Sequence, residues 1–404
     1  MTTLAELCTS IDYGYTASAS EDPAVGPKFL RITDIVPDRI DWSTVPHCEI
    51  EDGKRDKFLL DEGDIVVART GATVGYAKQI WARPEGATFA SYLVRFRPDP
   101  EKVDPRYLGQ IVQSAAFKKW VKSVAGGAAQ PNASAKLLGS FDVPLLAPES
   151  QRQVGQALQA VEARIENNRR RIEILEEMAR LIYREWFVHF RFPGYEDLEP
   201  VDSDLGSIPA GWSVEALSDA ADLVMGQSPK SEFYNESREG LPFHQGVTDF
   251  GRRYPEHRKW CTQENRIAQE GDILLSVRAP VGRLNVAPDR IVIGRGLAAL
   301  RSKRDTQVFL FELLREVFAV EDSMGGGTIF KAITKRDLER IPVPRPDPEL
   351  VESFEQAVGP MFELVRNLTF QNRVFREARD LLLPRLVSGE LDVSQLNLTL
   401  AEVG

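Results

Sequence analysis

At 404 residues the chain exceeds one ordinary hydrophobic core, so two domains with connecting elements are expected. Apolar residues at 43% and charged ones at 27% describe a soluble globular protein, and the net charge of −10 argues, taken alone, against a nucleic-acid partner. Three cysteines (Cys8, Cys48, Cys261) far apart exclude a disulfide framework or a zinc knuckle, and no apolar stretch reaches membrane-spanning length, so a cytoplasmic protein without a membrane partner is expected.

In chain order, residues 1–148 read as a mixed domain of short strands and turns. Leu30–Val36, Gly63–Thr70 and Tyr92–Pro98 are its clearest strands, and Leu108–Val124 has helical spacing. A Gly-rich loop, a short helix and a Pro-bounded exit lead to a long helix at 149–192, which runs into the aromatic cluster Trp186, Phe187, Phe190 and Phe192. Linker and second domain occupy 193–346, a second long helix 347–390, and a tail 391–404.

The two halves repeat. EGDILLSVRAPVG (Glu270–Gly282) answers EGDIVVARTGATVG (Glu62–Gly75) at an offset of 208. At an offset of 200, Gly126 and Gly127 match Gly326 and Gly327, Leu138 matches Leu338, and Val143-Pro144 matches Val343-Pro344. The same offset relates two helix seams. Val154, Leu158, Val161, Ile165, Asn168, Ile172, Leu175, Ala179, Ile182 and Trp186 recur two hundred residues on as Phe354, Val358, Met361, Val365, Leu368, Asn372, Phe375, Arg379, Leu382 and Leu386. Antiparallel packing that sets Asn168 against Asn372 pairs residues whose numbers sum to 540, and matches both ends of the seam. Gly359-Pro360 and Pro384 are expected to break or kink the second helix.

Catalytic signatures are absent. There is no GxxxxGK[ST], GxSxG, HExxH or [DN]PP[YF], and the four histidines (His47, His189, His244, His257) gather no further metal ligands. A loose acidic pattern, Asp38 followed by Asp52 and Lys54, fits a metal-dependent nuclease and keeps that alternative open. Basic residues cluster locally instead: twelve Lys/Arg against five Asp/Glu from Arg252 to Arg304, and five against one from Val67 to Arg97. The acid excess sits elsewhere, with ten Asp/Glu against five Lys/Arg after Arg345.

After each EGDI strand comes an Arg-bearing turn. Arg69, Thr70 and Thr73 lie in the first, Arg278 and Arg283 in the second. Arg offers a planar fork for guanine or phosphate, while Thr, Asn and Gln can read adenine or the backbone. Gln130, Asn132 and Lys136 join the first set; Gln245, Arg252, Arg253, Arg258, Lys259, Lys331 and Lys335 join the second. All are candidate DNA contacts.

Together these features resemble the specificity subunit of type I restriction-modification systems over almost the whole chain. The residues that carry the resemblance are the opener Gly206-Ser207-Ile208-Pro209-Ala210-Gly211-Trp212, the EGDI strands, the loop Gln130-Pro131-Asn132-Ala133-Ser134, and the exits Val143-Pro144 and Ile341-Pro342-Val343-Pro344. The helix ends LIYREWFVHFRFPG and LLLPRLVSGELDV are similar too. Two departures stand out: the first domain has no such opener, so its first strand should be abbreviated, and Ala133 replaces the usual β-branched residue.

The resemblance implies an α+β fold: two mixed α/β target-recognition domains joined by two long helices in an antiparallel coiled coil, with internal pseudo-two-fold duplication. It implies a non-catalytic subunit whose domains each read one half of a bipartite double-stranded DNA target while the helices set the spacing. A helix of about 38 residues spans roughly 57 Å, more than one DNA turn. The implied partners are two modification subunits using S-adenosylmethionine and motor-nuclease restriction subunits using ATP and Mg²⁺, with no cofactor in this chain. Their implied docking surface is the exposed helix faces plus the cluster at Trp186 to Phe192.

Overall fold

The computed structural model describes residues 2–37, 39–125, 131–195, 199–323, 332–387 and 390–391, without the side chains of 52 and 320–323. Two compact units result: 1–168 with 370–404, and 169–369. No helix among the described residues is long and apolar enough to cross a membrane.

The first unit contains β1 (Thr2–Thr3), β2 (Cys8–Tyr13), β3 (Phe29–Leu30), β4 (Ile65–Ala68), β5 (Ala77–Gln79), β6 (Thr88–Phe89) and β7 (Leu93–Pro98). These are followed by α1 (Pro105–Val112), α2 (Ala115–Val124), α3 (Ala135–Gly139), β8 (Asp142–Val143) and α4 (Pro148–Tyr183). An antiparallel sheet of order β2-β7-β4-β5 is its centre. Ile65 and Val67 of β4 face Leu108, Ile111, Phe117 and Val121 of α1 and α2, whereas Val66 and Ala68 face Leu60, Ile80 and Phe89. Burial on both faces is why this strand is a continuous apolar run rather than an alternating one.

In the second unit are β9 (Ser213–Ala216), β10 (Ala221–Met225), β11 (Leu241–His244), β12 (Ile273–Ser276), β13 (Leu284–Val286), β14 (Ile291–Ile293) and β15 (Leu297–Ser302). Next come α5 (Gln307–Ser323), α6 (Lys335–Glu339), β16 (Pro342–Arg345) and α7 (Pro348–Val387). The sheet order β10-β15-β12-β13 repeats that of the first unit. The EGD signature has a shared job. Asp64 accepts Asp61 N–H at 2.8 Å and Arg97 Nε–H at 2.8 Å; Asp272 accepts Gln269 N–H at 2.7 Å and Arg301 Nε–H at 2.6 Å. Gly63 and Gly271 take φ of 92° and 84°, which a side chain would disfavour. Strand β1 meets β8 over two residues where β9 meets β16 over four, so the first strand is abbreviated.

Each long helix contributes to both units. Within the first, Val154, Leu158, Leu383 and Leu386 share one core, Asn168 Nδ2 donates to Asn372 Oδ1 at 3.0 Å, and Asn372 Nδ2 donates to Ile165 O at 3.3 Å. Within the second, Ile172 clusters with Val365 and Leu368, and the Trp186 and Phe354 rings are 6.1 Å apart. Toward the helix ends the buried positions are Tyr183, Phe187 and Leu383, not the expected Ile182 and Leu382. A helix of 3.6 residues per turn drifts by ~20° per heptad against a strict seven-residue repeat, which moves the seam by one residue.

Three further expectations change. After the two-residue strand β3, Ile32–Ile35 form a helical turn instead of a strand, because Asp34 accepts Arg31 N–H at 2.8 Å and also holds its guanidinium. Leu108–Val124 is two helices; Ser114 starts the second by accepting Phe117 N–H at 3.2 Å. Helix α7 continues through Gly359-Pro360 and Pro384. One lost hydrogen bond at each proline is outweighed by apolar packing on both sides, from Phe354 and Val358 to Val365, and from Leu383 to Leu386.

Candidate nucleic-acid interface

In the first unit β4 ends at Ala68, and the following turn closes where Gly75 N–H donates to Ala68 O at 2.9 Å. The loop before α3 grips this turn: Gly71 N–H donates to Pro131 O at 3.0 Å, Ala133 N–H to Arg69 O at 2.8 Å, and Thr70 bridges Asn132. Thr73 Oγ1 donates to Thr70 O at 3.3 Å. Arg69, Thr70, Thr73 and Asn132 thereby share one rim. The Arg69 guanidinium lies 4.7 Å from the Tyr13 ring centre and donates to Asn132 Oδ1 at 3.3 Å. Tyr13 Oη accepts Ala135 N–H at 2.8 Å, fixing the ring on which the guanidinium rests. Such a stack orders the fork before any ligand arrives, and reduces the entropy lost on binding. Lys136 stands exposed in the first turn of α3.

On the other flank, α2 packs at Gly75, where an added Cβ would come 3.0 Å from the Val121 Cβ. Lys118 Nζ lies 3.2 Å from the Tyr76 ring centre and, through its hydrogen bond, holds the Tyr76 hydroxyl below its usual pKa. Lys119 and Lys122 are exposed on the same helix.

The second unit repeats the frame with other side chains. Gly282 N–H donates to Ser276 O at 3.0 Å, Ile333 N–H to Val277 O at 2.9 Å, and Arg278 bridges Ala332. By these hydrogen bonds the counterpart of Arg69 is the buried Val277, and the counterpart of Thr70 is Arg278. Arg278 and Arg283 are exposed, with no side-chain partner among the described residues. Gln245 is exposed as well; its Oε1 accepts Ser228 Oγ–H at 2.8 Å. Lys259 is exposed, and Lys335 pairs with Glu339 at 3.3 Å.

Several candidates serve the fold. Arg252 donates to Glu176 Oε2 at 2.6 Å and Glu173 Oε1 at 2.9 Å. Arg253 is only 4% exposed, sandwiched between Phe311 and Phe362 at 4.2 and 4.3 Å and bonded to Glu176 Oε1 at 3.1 Å. Both tie their loop to α4 inside the unit; the Arg253 side chain is buried there, whereas that of Arg252 stays half exposed. Arg258 is engaged by Glu256 at 3.2 Å and Asp249 at 3.6 Å. Part of the basic excess counted along the sequence is offset in space by acids outside the counted windows: Arg95 meets Asp12, Arg97 meets Asp61 and Asp64, and Arg304 meets Glu215.

The aromatic cluster is also committed. Trp212 of the opener packs on Phe187, Phe190 and Phe192 at 5.9, 5.4 and 5.8 Å, so Phe187 and Phe192 are buried in the core of the second unit while Trp186 and Phe190 are partly buried. His244 is buried and meets His257 at 2.9 Å; burial first, then His257, pulls its pKa down to about 4. Among the described residues no three His, Cys, Asp or Glu side chains gather as a metal set. Lys54 pairs with Glu51 at 3.0 Å. Asp38, Gln130, Lys331 and the Asp52 side chain lie outside the described residues.

Sequence reasoning missed Tyr13, Lys118, Arg295 and Tyr92. Arg69 N–H donates to Tyr92 O at 3.1 Å, so Tyr92 borders the first turn, and exposed Arg295 borders Gln245 through Ser228, whose Oγ accepts Arg295 N–H at 3.2 Å. None belongs to a motif; only strand pairing brings them to the rims.

A family model described as the type I restriction modification DNA specificity domain matches residues 3–177. The chain is 30% identical over 400 residues to a putative type I restriction enzyme MjaX specificity subunit of Methanocaldococcus jannaschii, covering 96% of this chain and 93% of that one. With the MjaIX specificity subunit of the same organism it shares 26% identity over 302 residues, 72% of this chain and 70% of the other. A crystal structure of a type-I restriction-modification system S subunit from M. genitalium matches with a TM-score of 0.59, covering 95% of this chain and 94% of that one; at 14% identity this is a likeness of fold.

Proposed function

The chain belongs to the family of type I restriction-modification specificity subunits, and from that premise we propose that each unit reads one half of a bipartite duplex target with the rim around its Arg-bearing turn. The observation that carries this reading is the repeated main-chain frame with unlike contents: Arg69, Thr70 and Asn132 in one unit, Arg278, Arg283 and Gln245 in the other. A shared frame presents both rims alike, while different donors and acceptors select different bases. Nothing in the structure or the comparisons supports the nuclease alternative. We assign the chemistry to partner subunits carrying S-adenosylmethionine, ATP and Mg²⁺, in the cytoplasm.

The test is selection from a pool of random-sequence duplexes by the full chain assembled with its modification subunits. A motif of two separated blocks is expected. Arg69→Ala should relax one block and Arg278→Ala the other, each by about 1–3 kcal/mol at the position read. Uniform weakening across all sequences with a shallower salt dependence would make both phosphate contacts.

For the modification subunits, the helices offer a duplicated apolar stripe. Ile174, Met178 and Leu181 of α4 are 60%, 44% and 52% exposed; Val374 and Leu381 of α7 are 60% and 73% exposed. Residues 174 and 374, like 181 and 381, stand two hundred apart, the offset of the buried seam. Spacings of four and three line such residues along one helix face. Exposed apolar stripes of this kind mark protein contacts, and two equivalent stripes suit two copies of one partner. The double variant Ile174→Asp, Leu181→Asp should therefore shift the assembly from two bound copies to one, weighed by mass photometry. Retention of both copies would remove this assignment.

A further inference from the structure

We infer that Tyr92 is a base-contacting ring that makes the half-site read by the first unit chemically unlike the other, an inference that rests on the DNA-reading assignment above. The same hydrogen bond frames both rims: Arg69 N–H donates to Tyr92 O at 3.1 Å, and Val277 N–H donates to Gly296 O at 2.9 Å. Tyr92 and Gly296 are therefore counterparts. In the second unit a side chain at this place is impossible, because a Cβ on Gly296 would come 2.5 Å from Gln245 O. The chain leaving β11 crosses there, with Gly296 N–H donating to Gln245 O at 3.1 Å, and it presents the Gln245 amide instead.

The first unit leaves that place open. Parallel pairing sets Leu30 beside Phe89 as it sets His244 beside Ile293, so Arg31 is the counterpart of Gln245. Arg31 turns away: its Nε and Nη2 donate to Asp34 at 3.1 and 3.0 Å as the chain enters the helical turn Ile32–Ile35. Tyr92 fills the vacated rim, 60% exposed, with no side-chain partner among the described residues. Its backbone neighbour Arg69 already holds its guanidinium over the Tyr13 ring, 4.7 Å from the centre. An unpartnered ring beside a pre-set guanidinium suits a duplex, the guanidinium taking a purine edge and the ring packing on a neighbouring base or thymine methyl. The second unit offers an amide at the same place, which suits adenine.

The experiment compares the motifs selected from the random duplex pool by the full chain, assembled as above, with wild-type Tyr92, Tyr92→Phe or Tyr92→Ala. Because Tyr92 is exposed, each variant should melt at the wild-type temperature. Tyr92→Ala should lower discrimination about tenfold or more at one or two positions of a single half-site, leave the other half-site intact, and be rescued by Tyr92→Phe. An unchanged motif in Tyr92→Ala overturns the inference. So does equal damage from Phe and Ala, which would make the hydroxyl a phosphate donor. If the wild-type assembly selects no bipartite motif, the DNA-reading assignment itself fails; a wild-type motif with an indifferent Tyr92 leaves that assignment standing.

Discussion

Replacing Phe354 by alanine should cost the second unit about 3–5 kcal/mol, the range for deleting a fully buried aromatic ring. Phe354 is fully buried, and its ring lies 5.9, 6.1, 5.3 and 6.3 Å from those of Tyr183, Trp186, Phe187 and Phe309. It thus meets the end of α4, the turn after it and the start of α5 at one point. Interiors packed this closely relax only partly, so the lost ring leaves a cavity as well as lost apolar burial. Trp186 and Trp212 lie in or next to this cluster and report its unfolding, so denaturant titration by tryptophan fluorescence is the measurement. A midpoint within error of wild type would show that this end of the seam does not hold the unit.

The second large effect concerns pH. Glu312 is 1% exposed on α5, and burial raises its pKa from an ordinary 4.5 to about 7 despite Arg315 at 2.9 Å and the opposing pull of Arg253. Above pH 4.5 the unfolded chain ionises this carboxyl while the folded one still keeps the proton. Stability from this group is therefore greatest below about 4.5, falls as pH rises toward 7, and is level above. A shift from 4.5 to 7 corresponds to at most ~3 kcal/mol. Glu312→Gln keeps an oxygen for Arg315 and cannot ionise. Its melting temperature should lose that decline between pH 4.5 and 7 and gain on wild type at pH 8. Parallel melting curves for both proteins across that window would refute the raised pKa.

Much of the architecture was legible because it was written twice. The 208 and 200 offsets located both EGDI strands and both exits, and an interrupted apolar seam with one Asn per helix identified the two helices that pair. What was not legible has definable physical causes. Leu30–Val36 looked like a strand because its β-branched residues favour one, yet a single local carboxylate, Asp34, bends it into a helical turn. The ion pairs of Arg252 and Arg253 were not legible because a count along the chain cannot see Glu173 and Glu176, which approach only after folding. Trp186 to Phe192 looked available because the sequence does not show Trp212 lying over it. Conversely, Tyr13 and Tyr92 stood in no motif and became candidates only once β2 and the segment before β7 were placed beside the Arg69 turn.

The turns after β4 and β12 are closed and gripped by peptide groups: Gly75 to Ala68, Ala133 to Arg69, Gly282 to Ser276, Ile333 to Val277. Amide and carbonyl groups are common to nearly every residue, so the exposed positions between these bonds can change side chain without loosening the grip, apart from Gly71 at φ 71° and the buried Val74 and Val277. The two existing turns already differ by one residue in length and in most side chains. A library at residues 69, 70, 72 and 73 that keeps Gly71, whose φ of 71° disfavours a side chain, should therefore yield mostly folded proteins, checked by their melting temperatures.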